Sequence, residues 1–213
     1  MIALLQSLGL AEGTCLSCGS IFRGREQGFI CEGCLRSLHP YHPMDYSVRL
    51  DYVSSYRVYG LYEGALREVI QSIKFHRVKS LALRLGQVIR GHLREYIERV
   101  QPDVITFPSL NLRRFWGRGF NHVECILRGA EVPYLEVFKR VDLKPPLARL
   151  KVRDRERAVS GHRLKKGFVD FLEGKRVLVV DDLLTTGFTI KRLAYLLLSV
   201  GAEEVHAYFV AKA

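Results

Sequence analysis

The run Val177-Leu178-Val179-Val180-Asp181-Asp182-Leu183-Leu184-Thr185-Thr186-Gly187-Phe188-Thr189 constrains what this chain can fold into more than any other stretch. Four consecutive aliphatic residues bounded by a turn signal predict a central parallel strand covered on both faces. The two acids then stand at its carboxyl end, where open α/β sheets bind their ligands. Thr185, Thr186 and Gly187 lead into a helix expected over 189–200, whose free backbone N–H groups and positive dipole end attract a phosphate. Gly187 lacks the Cβ that would obstruct close approach. A bare acid pair at a strand end is as readily an ordinary helix cap, but all thirteen positions together favour a grip on a phosphorylated sugar. Carboxylates accept hydrogen bonds from two hydroxyls, while threonine hydroxyls and backbone N–H groups serve phosphate oxygens.

The same run resembles the signature of the type I phosphoribosyltransferases: four hydrophobic residues, two acids and a TTGxT-like loop. In that family the acid pair holds two ribose hydroxyls of 5-phosphoribosyl-1-pyrophosphate (PRPP) and the loop wraps its 5-phosphate. The resemblance gives Asp181 and Asp182 the first role and Leu184, Thr185, Thr186, Gly187, Phe188 and Thr189 the second, and it implies Mg2+ accompanying PRPP.

A length of 213 residues accommodates one α/β domain with a small appendage. No stretch approaches the ~20 apolar residues needed to span a bilayer, so no membrane insertion is expected. Residues 1–10 are apolar but carry no positive n-region and no convincing cleavage site, which reads as a retained helix on a cytoplasmic protein. The net charge of +11 is uneven, since residues 139–176 hold thirteen Lys or Arg against five Asp or Glu. Such a segment attracts polyanions, whether a nucleic-acid backbone or a pyrophosphate. Charge alone does not separate these, and a solvated basic loop is the plain alternative.

Cys15-Leu16-Ser17-Cys18 and Cys31-Glu32-Gly33-Cys34 are two CxxC knuckles with twelve residues between them. Each two-residue gap lets paired thiolates reach one Zn2+ at about 2.3 Å. A closed set of four cysteines leaves no position for water or substrate, so a structural zinc, one per chain, is expected to fold a segment too short to build its own core. Two disulfides are the rival reading and require an oxidising compartment. Cys125 falls on a helix expected over 120–127 and reads as packing. Trp116, among Arg113, Arg114, Phe115 and Arg118, offers an aromatic to stack on a base or to pack in a core.

Residues 41–59, tyrosine-rich and alternating, predict two short strands linking a module at 1–40 to a main domain at 41–213. Leu66, Val69, Ile70 and Ile73 recur at helical spacing, and Leu81, Leu85, Val88, Ile89, Leu93 and Ile97 mark a second amphipathic helix. Residues 104–107 read as the first core strand, followed by a basic loop at 109–119 and a helix opening at Phe120. Further extended segments are expected at 132–141, 176–182 and 204–210. The alternation implies a parallel sheet with right-handed crossovers.

Knuckles and sheet together resemble the ComF competence-protein family, which joins a small zinc-ribbon-like module to a type I phosphoribosyltransferase-like α/β domain, a parallel sheet flanked by helices. The resemblance rests further on Tyr62-Glu63-Gly64-Ala65-Leu66-Arg67 running to Lys74-Phe75, on Arg118-Gly119-Phe120-Asn121, and on the Pro- and Arg-rich stretch 144–157. His122 stands where the family usually has Gln, and Ser160 where an Asn usually follows the Glu-Arg pair. By this analogy 107–113 forms the pyrophosphate loop with Ser109, and Arg113 ranks with the two acids as catalytic. Arg114, Arg118 and Arg157 also bind substrate, and 144–157 closes as a lid. The family resemblance implies phosphoribosyl transfer with a link to DNA uptake in natural transformation. Its alternative is a protein of the same fold that senses PRPP or a nucleotide, or handles single-stranded DNA alongside competence-machinery proteins, without turnover.

Overall fold

The computed structural model describes residues 12–23, 30–41, 50–110, 117, 119–140 and 161–213. Two short antiparallel strands, β1 (Glu12–Thr14) and β2 (Ile21–Arg23), precede helix α1 (Glu32–Arg36). Then come β3 (Ser55–Leu61), α2 (Gly64–Phe75), α3 (Lys79–Val100), β4 (Val104–Thr106) and α4 (His122–Gly129). The rest comprises β5 (Phe138–Arg140), β6 (His162–Leu164), β7 (Arg176–Leu184), α5 (Phe188–Leu198) and β8 (Glu204–Lys212).

The aliphatic run lies in β7, inside a four-stranded all-parallel sheet ordered β3-β8-β7-β4. Val177 to Val180 are fully buried because both faces are covered. Alternation along the strand sends Leu178 and Val180 into one core with the apolar stripes of α2, α3 and α4, and Val177 and Val179 into a second core with Ile190, Leu193 and Leu197 of α5. Among the described residues, no helix is long and apolar enough to cross a membrane.

Two sequence expectations change. The first core strand is β3, paired with β8, rather than 104–107, which forms the opposite edge as β4. The tyrosines of β3 suggested a linker because an edge strand alternates like one, yet Tyr59 is buried and its hydroxyl donates to the Leu38 carbonyl at 2.8 Å. Residues 42–49, where the other linking strand was expected, lie outside the described residues. Within 132–141 only β5 is a strand, and it pairs antiparallel with β6 in a separate two-stranded ribbon. Helix α4 opens at His122 rather than Phe120 because Asn121 caps it, its side-chain oxygen accepting the Val123 N–H at 3.0 Å.

Helices α3 and α4 cross backbone to backbone. A Cβ on Gly86 would lie 2.1 Å from the Ile126 carbonyl oxygen, and one on Gly129 would lie 1.9 Å from that of Leu83. That approach fixes α4, and with it His122, over the carboxyl end of β7. The cysteine segment docks on the same layer: Cys15, Ile30 and Leu35 share the core of α2 and α3, and Arg84 Nη2 meets Glu32 Oε1 at 2.6 Å. Cys125 is buried in that core, consistent with packing.

Candidate functional site

Alternation on β7 puts Asp182 on the face shared with Leu178 and Val180, towards α2 and α4. Lys74, in the last turn of α2, and His122, the first residue of α4, both reach its Oδ2: Lys74 Nζ at 2.5 Å and His122 Nε2 at 2.5 Å. Asp182 is 7% exposed, whereas Asp181 is half-buried. Asp181 holds its place differently, its Oδ1 accepting the backbone N–H of Asp182 at 2.9 Å. Asp182 is thus held through Oδ2 and Asp181 through Oδ1, and the two side chains also meet each other.

The two carboxyls are driven apart electrostatically. Burial alone would raise Asp182, but the charge and hydrogen bond of His122, then those of Lys74, outweigh it and hold this group well below the usual carboxylate range. Burial and then the charge of Asp182 push Asp181 the other way, above that range.

A 490 Å³ cavity opens beside these acids, with Lys74, Ser109, His122 and His162 in its wall. Thr185 and Thr189 line it as well, whereas Thr186 and Phe188 are exposed and are not part of its wall. The Thr186 hydroxyl accepts the Phe188 N–H at 3.4 Å and so shapes the turn. Gly187 has a left-handed φ of 73°, so the backbone itself favours glycine here, and a Cβ would lie 2.5 Å from Leu50 Cδ2. Leu184, expected to open the loop, is instead the last residue of β7; its side chain is buried and its carbonyl accepts the Ala213 N–H at 3.0 Å.

Ser109 borders the cavity, but its hydroxyl donates to the Phe138 carbonyl at 2.6 Å and ties the loop after β4 to β5. Arg113, Arg114, Trp116, Arg118, Arg157, Ser160 and the expected lid at 144–157 lie outside the described residues. Three cavity residues had no assigned role in the sequence reading. Lys74 appeared only inside a motif, and Arg140 was counted within the basic excess. His162 left no trace, because its position depends on the pairing of β5 with β6, which sets its Nε2 3.0 Å from the Ser109 carbonyl.

The four knuckle cysteines converge, with all Sγ atoms within 4.8 Å of one another. Cys15 to Cys34 and Cys18 to Cys31 each span 3.7 Å. Four sulfurs at about 2.3 Å around one ion have edges of about 3.8 Å, so the set fits a single tetrahedral metal such as zinc. The disulfide reading does not fit these separations, since bonded sulfurs lie at about 2.05 Å. Burial raises the Cys34 thiol to about 12, while the hydroxyl and then the backbone of Ser20 lower Cys18 to about 6. Only a bound cation lets all four ionise together.

A phosphoribosyl transferase domain model matches residues 109–213, taking in His122, the acid pair and the threonine loop. Competence protein F of Haemophilus influenzae is 27% identical over 165 residues, covering 73% of this chain and 72% of that protein. Competence protein ComFC of Streptococcus pneumoniae is 26% identical over 163 residues, covering 72% and 66%. DNA utilization protein YhgH of Escherichia coli is 30% identical over 158 residues, covering 69% and 67%. The matches span about two thirds of the length of the latter two relatives.

Proposed function

Because this chain belongs to the ComF family of phosphoribosyltransferase-like competence proteins, we propose that its cavity binds PRPP and that the chain transfers the phosphoribosyl group to an acceptor. One observation carries the reading: Asp181 and Asp182 line the same cavity as Thr185 and Thr189 at the N-terminus of α5. Asp181 Oδ2 and Asp182 Oδ1 accept the two ribose hydroxyls. The hydroxyls of Thr185 and Thr189, with the first N–H groups of α5, take the 5-phosphate. Arg113, Arg114, Arg118 and Arg157 neutralise the diphosphate, and 144–157 closes over it. As the bond from the anomeric carbon to pyrophosphate breaks, positive charge grows on the ribose and negative charge on the leaving group, so fixed carboxylates near the one and cations near the other favour the transition state.

Mg2+ would not bind Asp182 Oδ2 directly, because the Lys74 ammonium and the His122 ring already hold that oxygen. It would be held by diphosphate and ribose oxygens, with the acids reaching it through water, and it would supply neutralisation of the leaving group. Cys15, Cys18, Cys31 and Cys34 hold one structural zinc.

Calorimetric titration with PRPP and Mg2+, together with pyrophosphate release measured across candidate acceptors, tests the proposal. Asp181→Asn removes the carboxyl that meets a ribose hydroxyl, about 0.5–1.5 kcal/mol for a bond to a group that burial keeps protonated, and is expected to weaken PRPP binding by roughly two- to tenfold. Unchanged affinity would remove PRPP from this cavity.

The basic excess at 139–176 and the competence and DNA-utilization relatives favour a second activity, binding of single-stranded DNA by a cytoplasmic protein working with competence machinery. Replacing Arg153, Arg155 and Arg157 with Gln should flatten the salt dependence, each lost phosphate contact lowering the slope of log affinity against log salt by roughly 0.7. An unaltered slope would place the DNA site elsewhere.

A further inference from the structure

Among the described residues the most heavily compensated acid is Asp182, whose single Oδ2 receives both the Lys74 ammonium and the His122 ring at 2.5 Å inside the cavity. Two donors on one oxygen exceed what holding a carboxylate in place requires. The side chains of Lys74 and Asp182 are only 19% and 10% exposed, so solvent screens them weakly. An anionic ligand entering such a cavity meets an acid pair whose charge the protein has already offset. In a site that relied on a metal for this purpose, the ion would have to arrive first.

We propose that Lys74 and His122 form a built-in countercharge for the acid pair, so that the ribose 5-phosphate portion of the ligand is captured without a divalent cation, which is needed only for the diphosphate. This inference rests on the PRPP reading of the cavity. Lys74 supplies the charge. His122, where the family usually carries a neutral Gln, fixes Asp182 from the α4 side. Both are positioning residues: they turn Asp182 Oδ1 towards the ribose hydroxyls by holding Oδ2. Arg140 and His162, from β5 and β6, line the same cavity and add to its cationic character when charged.

Calorimetric titration with ribose 5-phosphate and with PRPP, each with Mg2+ and in buffer passed over chelating resin, decides the matter. Resin-treated buffer is used rather than a soluble chelator, so that the cysteine cluster keeps its ion. Wild-type protein is expected to bind ribose 5-phosphate equally, within about twofold, in both buffers. Lys74→Met should lose roughly tenfold in metal-free buffer and regain part of it with Mg2+, while Lys74→Arg restores metal-free binding. His122→Gln, which keeps a donor and the fold, should show a smaller loss of the same sign. A wild type that needs Mg2+ for ribose 5-phosphate, or a folded Lys74→Met or His122→Gln protein that matches wild type in metal-free buffer, overturns the countercharge while leaving PRPP binding intact. Absence of binding by wild type to either compound overturns the PRPP reading and the countercharge with it.

Discussion

Asp181 and Asp182 are consecutive residues that a strand turns to opposite faces, and that geometry alone gives them opposite linkage to pH. The folded-state value of Asp182 is depressed by His122 and Lys74, so its contribution to stability is present above the unfolded value near about 3.9 and is lost as pH falls through the folded value. The value of Asp181 is raised, so the folded chain keeps a proton that the unfolded chain releases, and stability declines as pH rises from about 3.9 towards the folded value. Urea denaturation at about pH 5 and about pH 7 should therefore show wild type weakening with pH, and Asp181→Asn should be flatter across that window; a parallel decline would dissociate Asp181 from the effect. Asp182→Asn strands a lysine and a histidine in a buried place and is expected to cost about 3–5 kcal/mol in the same assay. The acid pair and the threonines were legible in the sequence because strand end, acids and turn are contiguous. Lys74 and His162 were not, since only the packing of α2 on the sheet and the pairing of β5 with β6 bring them there.

Packing between elements explains which parts of the fold could be read in advance. Leu81, Leu85, Ile89 and Leu93 announced α3 through their spacing, and the same residues are buried in the structure. Nothing in that spacing announced Gly86, which a helix pattern merely tolerates, although it and Gly129 let α3 and α4 touch through their backbones. Gly86→Ala or Gly129→Ala should destabilise the protein by about 1–3 kcal/mol or more, because the obstructing atoms are main chain and cannot rotate away. Gly91, exposed on α3 with open space at its Cβ position, is the internal control: Gly91→Ala should stabilise by roughly 0.5–1 kcal/mol. Equal effects at all three positions in urea denaturation would mean that helix propensity, and not the crossing, governs these glycines. The misreading of β3 has a related cause, since 204–210 was legible as extended but nothing in the sequence pairs it with β3 about 150 residues earlier.

At the scale of the whole molecule, the cysteine segment and the sheet do not stand apart. Knuckle spacing made the thiol cluster readable, whereas its docking through Ile30, Leu35 and the Glu32–Arg84 pair depends on α3 and could not be seen. Removing the metal is therefore expected to loosen 12–41 and also to lower the melting temperature of the entire chain, each 1 kcal/mol lost shifting it by about 2–4 °C. Thermal melts with and without metal, read beside hydrogen exchange along α3, check this; superimposable melts would make the segment an independent appendage. The order of the strands has a bearing on synthesis. β3 and β7 both wait for β8, which is inserted between them and is the last strand in the chain. Each residue of β8 follows its partner in β3 by about 150 positions, so at roughly 5–20 residues per second a ribosome leaves the β8-facing edge of β3 uncovered for on the order of ten seconds or more. Nascent chains of this protein thus pass through a long interval in which α2 and α3 exist but no complete sheet does, and protection of β3 by whatever meets the emerging chain becomes part of how the protein is made.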